Sequence, residues 1–219
     1  KILSSRIDTT LLLYNSIKKL GTSHKIKNIV SASAIGVYPS DDKIQTENTI
    51  TSPKSFMEQV VLLWEKELMA FESLKIKVAK LRLGLVLTKK GGVLGPLKIL
   101  AKFGLSAAFG SGSQGQSWIH IDDTVRMFIE ATKNKWEGNF NAVSPNPVTQ
   151  TDFINAIAKG MNRPFFLPPI PKFLVRLAVG EMSNLVLDSH WISSEKVTRK
   201  GFEFIYLDIN KALEALLKK

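Results

Sequence analysis

The sequence predicts an α/β protein built around a parallel sheet. Short apolar, β-branched runs read as strands buried on both faces, and amphipathic helical stretches separate them. Regular alternation of the two favours crossover connections, and with them a parallel sheet. Ligands of such sheets sit at the carboxyl ends of strands, here after Val30, after Leu85 and after Ile119.

Residues 2–20 form the first expected helix: Leu3, Ile7, Leu11 and Tyr14 recur at helical spacing, and Gly21 stops it. Ile26 to Ser33 is a buried strand, and 34–51 a polar loop. Ser52 and Pro53 read as N-cap and first helical residue. Phe56, Val60, Leu63, Trp64 and Phe71 then share one helical face, and Ile76 to Leu87 is the second strand. Residues 88–116 are glycine-rich around a short helix near 93–103. Trp118 to Ile121 is a strand, Asp122 or Asp123 caps a helix to about 133, and Asn139 to Val143 is a further strand. Thr149 with Asp152 resembles a capping box opening a helix to about 161. The Pro-rich stretch 164–171 marks a change of lobe, with helices over 172–187 and 208–218 beyond it.

Composition narrows the functional classes. With 44% apolar and 22% charged residues the 219-residue chain buries enough surface to fold, which excludes disorder. The absence of Cys excludes a disulfide scaffold, thiolate metal sites and a Cys nucleophile, and fits a cytoplasmic location. The longest uncharged run, Phe103 to Ile121, is broken by Gly, Ser and Gln and cannot span a bilayer. No signal peptide is visible, so no membrane partner is expected. The chain lacks an initiator Met and Lys1 opens in mid-helix, which reads as a piece of a longer chain. Net charge is +11, but 24 of the 30 basic residues are Lys and they are scattered, as on solvated helix faces; this argues against a nucleic-acid groove.

Some motifs fail on context. Gly110, Gly112 and Gly115 match G-x-G-x-x-G, yet a strand follows where a phosphate loop needs a helix, so a flexible loop near a ligand is expected instead. Tyr14-x-x-x-Lys18 has a catalytic spacing but lies on an apolar stripe before the first strand, which favours packing. His120 with Asp122 and Asp123 lacks further ligands at metal spacing. Three constellations remain, each with two readings. Ser31 and Ser33 end a strand ahead of Gly36 and Tyr38, facing a ligand or capping the strand. Gly84 in Arg82-Leu83-Gly84-Leu85-Val86-Leu87 admits a ligand or a close strand–helix contact. Trp118-Ile119-His120-Ile121-Asp122-Asp123 offers an aromatic face, an imidazole and a carboxylate, or a core Trp with capping acids.

Taken in order, several segments resemble one family. They are Ser5-Arg6-Ile7-Asp8-Thr9-Thr10, Ser31-Ala32-Ser33-Ala34-Ile35-Gly36, Arg82-x-Gly84-x-Val86-Leu87, Gly91-Gly92 and Trp118 to Asp123. Asn141-Ala142-x-x-Pro145-Asn146-Pro147-Val148-Thr149, Gly180-Glu181-Met182 and Gly201-Phe202 continue the series. The set, spread over essentially the whole chain, resembles the epimerase-like branch of the extended short-chain dehydrogenase/reductases, related to nucleoside-diphosphate-sugar epimerases and carrying a C-terminal domain of unknown function.

The resemblance implies a Rossmann-like doubly wound parallel sheet with a smaller C-terminal α+β substrate lobe. Residues 1–87 would be the C-terminal part of the dinucleotide-binding domain, 88–163 substrate-side loops with returning strands and helices, and 164–219 the lobe of unknown function. The family's Gly-rich phosphate-binding loop and the residues selecting NAD or NADP would precede Lys1. By motif, Arg6 and Ser31 would meet the cofactor, NADP with NAD as alternative. Leu85 and Val86 would line its nicotinamide end. Ser33 would polarise a substrate carbonyl, and Tyr38 and His120 would complete the catalytic group. Trp118 and Asp122 would face a small, sugar-like substrate; a homodimer is an option. One departure stands out. Met57 and Val61 occupy the places of the superfamily's Tyr and Lys, aligned on Glu65, and neither moves a proton. Tyr38, Glu58, His120 and Asp122 are the replacement acid/base candidates. The implied function is an NADP(H)-dependent epimerase, dehydratase or oxidoreductase; the alternatives are a non-catalytic dinucleotide sensor or assembly protein, and, from charge alone, a nucleic-acid binder.

Overall fold

The computed structural model describes residues 2–218; Lys1, expected in mid-helix, lies outside them. Helix α1 (Ile2–Lys19) ends before Gly21, which takes φ 55° as a helix stop requires. Strand β1 (Asn28–Ala34) and a 3-10 turn (Ile35–Val37) follow, then β2 (Asp41–Gln45). Helix α2 (Phe56–Leu68) starts three residues later than Ser52-Pro53 suggests. Ser55 is the cap: its Oγ accepts from Glu58 N at 3.2 Å, while Glu58 Oε2 accepts from Lys54 N at 2.8 Å. Ser-x-x-Glu thus prevails over Ser-Pro, because it satisfies two orphan N–H groups and Pro satisfies none.

The expected strand 76–87 is two strands, β3 (Lys77–Leu83) and β4 (Leu85–Leu87), divided at Gly84. Then come α3 (Leu94–Lys102), β5 (Gly115–Gln116), β6 (Trp118–His120), α4 (Ile121–Lys133), β7 (Gly138–Ala142), β8 (Val148–Thr149) and α5 (Gln150–Gly160). Thr149 caps α5 as read, accepting from Asp152 N at 3.1 Å. The segment 172–187 is interrupted at Gly180 (φ 59°), giving α6 (Lys172–Val179), a 3-10 turn and α7 (Asn184–Leu187). Strand β9 (His190–Ile192) and helix α8 (Glu195–Arg199) are additions to the expected list, and α9 (Ile209–Leu217) closes it.

Among the described strands, β1, β3 and β7 form a parallel sheet in the order β1-β3-β7, with Ser33 opposite Arg82 and Arg82 opposite Asn141. Strand β4 leaves that sheet to pair in parallel with β6, setting Leu85 beside Trp118, Val86 beside Ile119 and Leu87 beside His120. The polar loop expected over 34–51 contains β2, which pairs in parallel with β9. Asp41-Asp42-Lys43-Ile44-Gln45 has no apolar alternation to announce a strand, and its partner lies far along the sequence.

Gly84 is where the chain changes sheets. Its N–H still reaches Ala142 O (3.2 Å), and the next N–H, Leu85, reaches Ser117 O (2.8 Å). A Cβ there would lie inside contact distance of the Ser117 carbonyl and 2.8 Å from Val143 Cγ1. The close approach is therefore made by the link before β6 and the residue after β7, in place of the ligand or helix anticipated. The glycines of 110–115 are likewise packed, not flexible: Gly110 and Gly112 have φ of 64° and 73°, Thr151 N donates to Gly112 O, and a Cβ on Gly115 would sit 2.5 Å from the Trp191 ring.

One apolar core lies between β4, β6, α3, α5 and α9, built on Trp118, Leu97, Phe153 and Leu213; a second, with Leu81, Ile119, Met127 and Phe140, takes in Val197 and Phe202 from the C-terminal segment. No described helix is long and apolar enough to cross a membrane. Gly84→Ala must displace a backbone carbonyl, so we expect a loss of about 2–3 kcal/mol in urea unfolding. Gly95→Ala, in α3 with nothing within 4 Å, should be neutral or stabilising by about 0.5–1 kcal/mol. Equal effects at the two positions would refute this account of Gly84.

Candidate functional site

At the carboxyl ends of β1 and β3, with α2 above them, lies a buried polar network. Glu65 projects from the apolar face of α2, between the buried Val61 and Leu68. Arg82 on β3 grips it with two parallel hydrogen bonds, Nε to Oε1 (2.9 Å) and Nη2 to Oε2 (2.8 Å). Ser33 Oγ donates to Glu65 Oε1 at 2.6 Å. The third face of the guanidinium, Nη1, donates to Tyr38 OH (2.8 Å), which donates to Asn141 Oδ1 (2.7 Å). Asn141 then ties in the C-terminal segment, Nδ2 donating to Ser193 O (3.0 Å), while its backbone N–H donates to Glu47 (2.7 Å).

The electrostatics follow from this geometry. Burial pushes the Glu65 carboxyl up, but the Arg82 hydrogen bonds and charge, with the Ser33 hydroxyl, outweigh it and hold Glu65 below the ordinary carboxylate range. Burial raises the Tyr38 phenol, with Arg82 opposing. Glu65 is therefore ionised and acceptor-only. Ser33 has spent its proton on it and offers lone pairs. Tyr38 is almost wholly enclosed with its hydroxyl doubly engaged, so it does not open onto a cleft among the described residues.

The β4–β6 pairing brings together a second group. Leu85 and Val86 are half-buried at the strand ends. Trp118 has no accessible surface and its Nε1 donates to Asn146 O (3.0 Å); it is core, not a surface open to a ligand. His120, not Asp122 or Asp123, caps α4: its Nδ1 accepts from Asp122 N at 3.1 Å. Asp123 is turned inward, accepting from the backbone N–H groups of Ile205 (2.9 Å) and Tyr206 (3.0 Å). Asp122 is exposed beside the imidazole. The His120 ring stacks on Tyr206 at 3.7 Å, and its Nε2 is buried with no hydrogen-bond partner among the described residues. Burial lowers the His120 pKa against the pull of Asp122 and Asp123, so the ring is neutral with its proton on Nε2.

The remaining predicted residues stand apart from these groups. The Arg6 guanidinium lies over the Trp64 ring of α2, 5.3 Å from its centroid. Ser31 Oγ donates to Ala32 O at 3.0 Å. Among the described residues no group of three or more His, Asp or Glu could hold a metal. A cleft of about 310 Å³ between Ile44, Pro145, Trp191 and Glu195 contains none of the predicted residues.

Sequence reasoning passed over the ion pair and His190. An acid on the apolar face of α2 and an Arg inside a buried strand are each untenable alone; that mutual need was the available signal for the pair. His190 carried none, as a lone His in a three-residue strand. Its Nδ1 is buried without a partner among the described residues, and burial pushes its pKa down to about 4, with Glu58 opposing. Asp188 beside it is raised by burial and by Glu58, against Arg176 and Lys172.

Two outcomes are expected. Glu65→Gln leaves Arg82 buried without its counter-ion and should cost about 3–5 kcal/mol, whereas the double change Glu65→Leu with Arg82→Met should recover most of it in denaturant titrations. His190 is harder to protonate folded than unfolded, so stability is full above about pH 6.5 and falls as pH drops toward 4. Its share of that fall is about 3 kcal/mol from the shift between those values. His190→Asn should flatten the decline; an unchanged pH profile would refute the assignment.

The chain can now be set beside known proteins. Residues 170–216 match a family model described as a Domain of unknown function (DUF1731). The epimerase family protein YfhF of Bacillus subtilis is 37% identical over 219 residues, 99% of this chain and 71% of that protein. The epimerase family protein SH2119 of Staphylococcus haemolyticus is 37% identical over 218 residues, 99% and 72% of the two. Among solved structures, a nucleoside-diphosphate sugar epimerase of Corynebacterium glutamicum superposes with TM-score 0.79 at 28% identity, over 100% of this chain and 43% of that one. The human epimerase family protein SDR39U1, solved with NADPH, gives TM-score 0.89 at 23% identity over 99% and 73%, a likeness of fold. The fold is the Rossmann-like α/β fold of the extended short-chain dehydrogenase/reductases, and the chain belongs to the epimerase family in their epimerase-like branch, with its C-terminal domain of unknown function.

Proposed function

We propose that this chain supplies the nicotinamide-side and substrate-side walls of an NADP(H)-binding protein that acts on a small carbonyl or sugar-like substrate. The observation that carries the reading is the β4–β6 pairing. It sets Leu85 and Val86, just past the carboxyl end of β3, where doubly wound sheets take their ligands, directly beside the strand that delivers His120. An NADPH-bound fold relative supports the cofactor, with NAD as the alternative. Partly buried apolar residues just past β3 suit the face of a nicotinamide, and the Arg6 guanidinium on α1 suits a phosphate or ribose oxygen, so the residues present fit the group.

NADP(H), when bound, supplies or accepts hydride. The chain's own residues divide the remaining work. Ser33, its proton held by ionised Glu65, accepts a hydrogen bond and so suits a substrate hydroxyl better than a carbonyl. His120 is the acid/base group in this reading: the neutral ring takes a proton to become an imidazolium, which Asp122 beside Nδ1 stabilises, and the imidazolium gives its Nε2 proton to the substrate oxygen and returns to the neutral ring. Tyr38 holds Arg82 in place. Under this reading residues 1–87 carry the cofactor side, 88–163 the substrate side and 164–219 the covering lobe. A second reading, a dinucleotide-binding sensor without turnover, is favoured by Met57 and Val61 and by the full engagement of Ser33 and Tyr38 within the protein.

Energy transfer from the four tryptophans to reduced nicotinamide tests the proposal in the full-length protein. NADPH, with NADH in parallel, should bind in the micromolar range, and Arg6→Ala should weaken binding about tenfold through a lost charge-assisted contact. His120→Gln should abolish turnover of a carbonyl panel and leave binding intact. Binding without turnover on a broad panel selects the sensor; binding of neither cofactor overturns both.

A further inference from the structure

The basic residues expected to be scattered include two runs without any acid. No Asp or Glu occurs from residue 73 to 121 or from 153 to 180, and these stretches hold twelve of the 30 Lys and Arg, of which Arg82 is paired with Glu65 and Lys77 with Glu137. The fold joins the two stretches. Ile170 N donates to Ala108 O (2.7 Å) and Gly110 N donates to Ile170 O (2.8 Å), so the connection after α3 runs along the one before α6.

The two helices flanking that joint carry one pattern. In α3 it reads Lys98-Ile99-Leu100-Ala101-Lys102-Phe103; in α6, Lys172-Phe173-Leu174-Val175-Arg176-Leu177. The fourth residue of each, Ala101 or Val175, is buried in the same apolar core. The cation–apolar pairs on either side of it are left on the outside. Ile99 is 61% exposed, Phe103 70%, Phe173 67% and Leu177 83%. Leu105 and Phe166, in the two joined connections, are exposed as well.

Bulky apolar side chains set out in water beside cations, on two elements at once, are the signature of a surface that lies at an interface. A second copy of the chain is a poor occupant, since pairing this face with itself would oppose Lys with Lys. Nucleic acid has no use for exposed Ile99 and Leu177. An anionic bilayer satisfies both kinds of residue: headgroup phosphates meet the cations, and the acyl boundary takes the apolar tips. The lack of a spanning helix bears on crossing a bilayer, not on lying against one.

We propose that the α3–α6 face adsorbs this protein onto an anionic phospholipid surface, with Ile99, Phe103, Phe173 and Leu177 entering the headgroup boundary and Lys98, Lys102, Lys172 and Arg176 contacting lipid phosphates. The test is flotation of the full-length protein with vesicles of phosphatidylcholine alone, or with about one-third phosphatidylserine, at about 0.1 M salt. Binding to the mixed vesicles alone, weakened by added salt, is expected. Changing Lys98, Lys102, Lys172 and Arg176 together to Glu should lower partitioning on the order of 100-fold. The same four-charge reversal at the exposed Lys25, Lys27, Lys43 and Lys211 should change it about twofold through long-range screening alone. Ile99, Phe103, Phe173 and Leu177 changed together to Ser should lower it at least about tenfold with net charge kept. All these positions lie outside the core, and circular dichroism verifies folding. No flotation with anionic vesicles overturns the proposal. So does an equal loss from the distant reversal, full binding by the Ser variant, or displacement of the vesicles by a short nucleic-acid duplex bound more tightly.

Discussion

The pair Glu65–Arg82 is the constraint around which the rest is arranged. Each group would be prohibitive to bury alone, and together they are held by two parallel hydrogen bonds inside the protein. Such a pair adds little net stability over an apolar substitute of the same shape. It does fix geometry, because the fork of the guanidinium meets the carboxylate in one plane only. Through it, α2 is seated over β1 and β3. The spare donors and acceptors of the pair then dictate where Ser33, Tyr38 and Asn141 must lie.

That arrangement bears on the chemistry. A serine and a tyrosine at the end of a first strand read in sequence as a catalytic couple. Within the fold both hydroxyls are bound to the ion pair and its neighbour, and serve it as satisfied partners of buried charge. Among the described residues of this region, His120 Nε2 is left without a hydrogen-bond partner, buried beside the partly buried Leu85 and Val86 of β4. Under the proposed function, proton transfer falls to the strand that pairs with β4 in place of the first strand.

The main helices and strands were legible because their signals are local: a 3.6-residue stripe in α2, a capping threonine before α5, β-branched runs in β1 and β3. Strand β2, polar but for Ile44, and β9, three residues long, have no local signal; they exist because they find each other across the chain. Gly84 was legible as a place of close approach, but not what approaches, since the Ser117 carbonyl lies in the link between β5 and β6, distant in sequence. The start of α2 was misplaced because two capping signals overlap and a Pro is the louder one. Of the site, the residue types were readable and their directions were not. Whether a serine hydroxyl faces a cleft or a carboxylate depends on Glu65, thirty-two positions away.

Gly84 also makes the two sheets one mechanical piece. The chain passes from β3 to β4 with no loop and no slack, clamped on one side by Ala142 and on the other by Ser117. A side chain larger than hydrogen at that joint would lever the sheets apart, and a rigid splice allows no hinge between them. Any closing of the C-terminal segment over a ligand must therefore be accommodated in the connections beyond β7, while the strand carrying Arg82 and the strand carrying Leu85 move as a single beam.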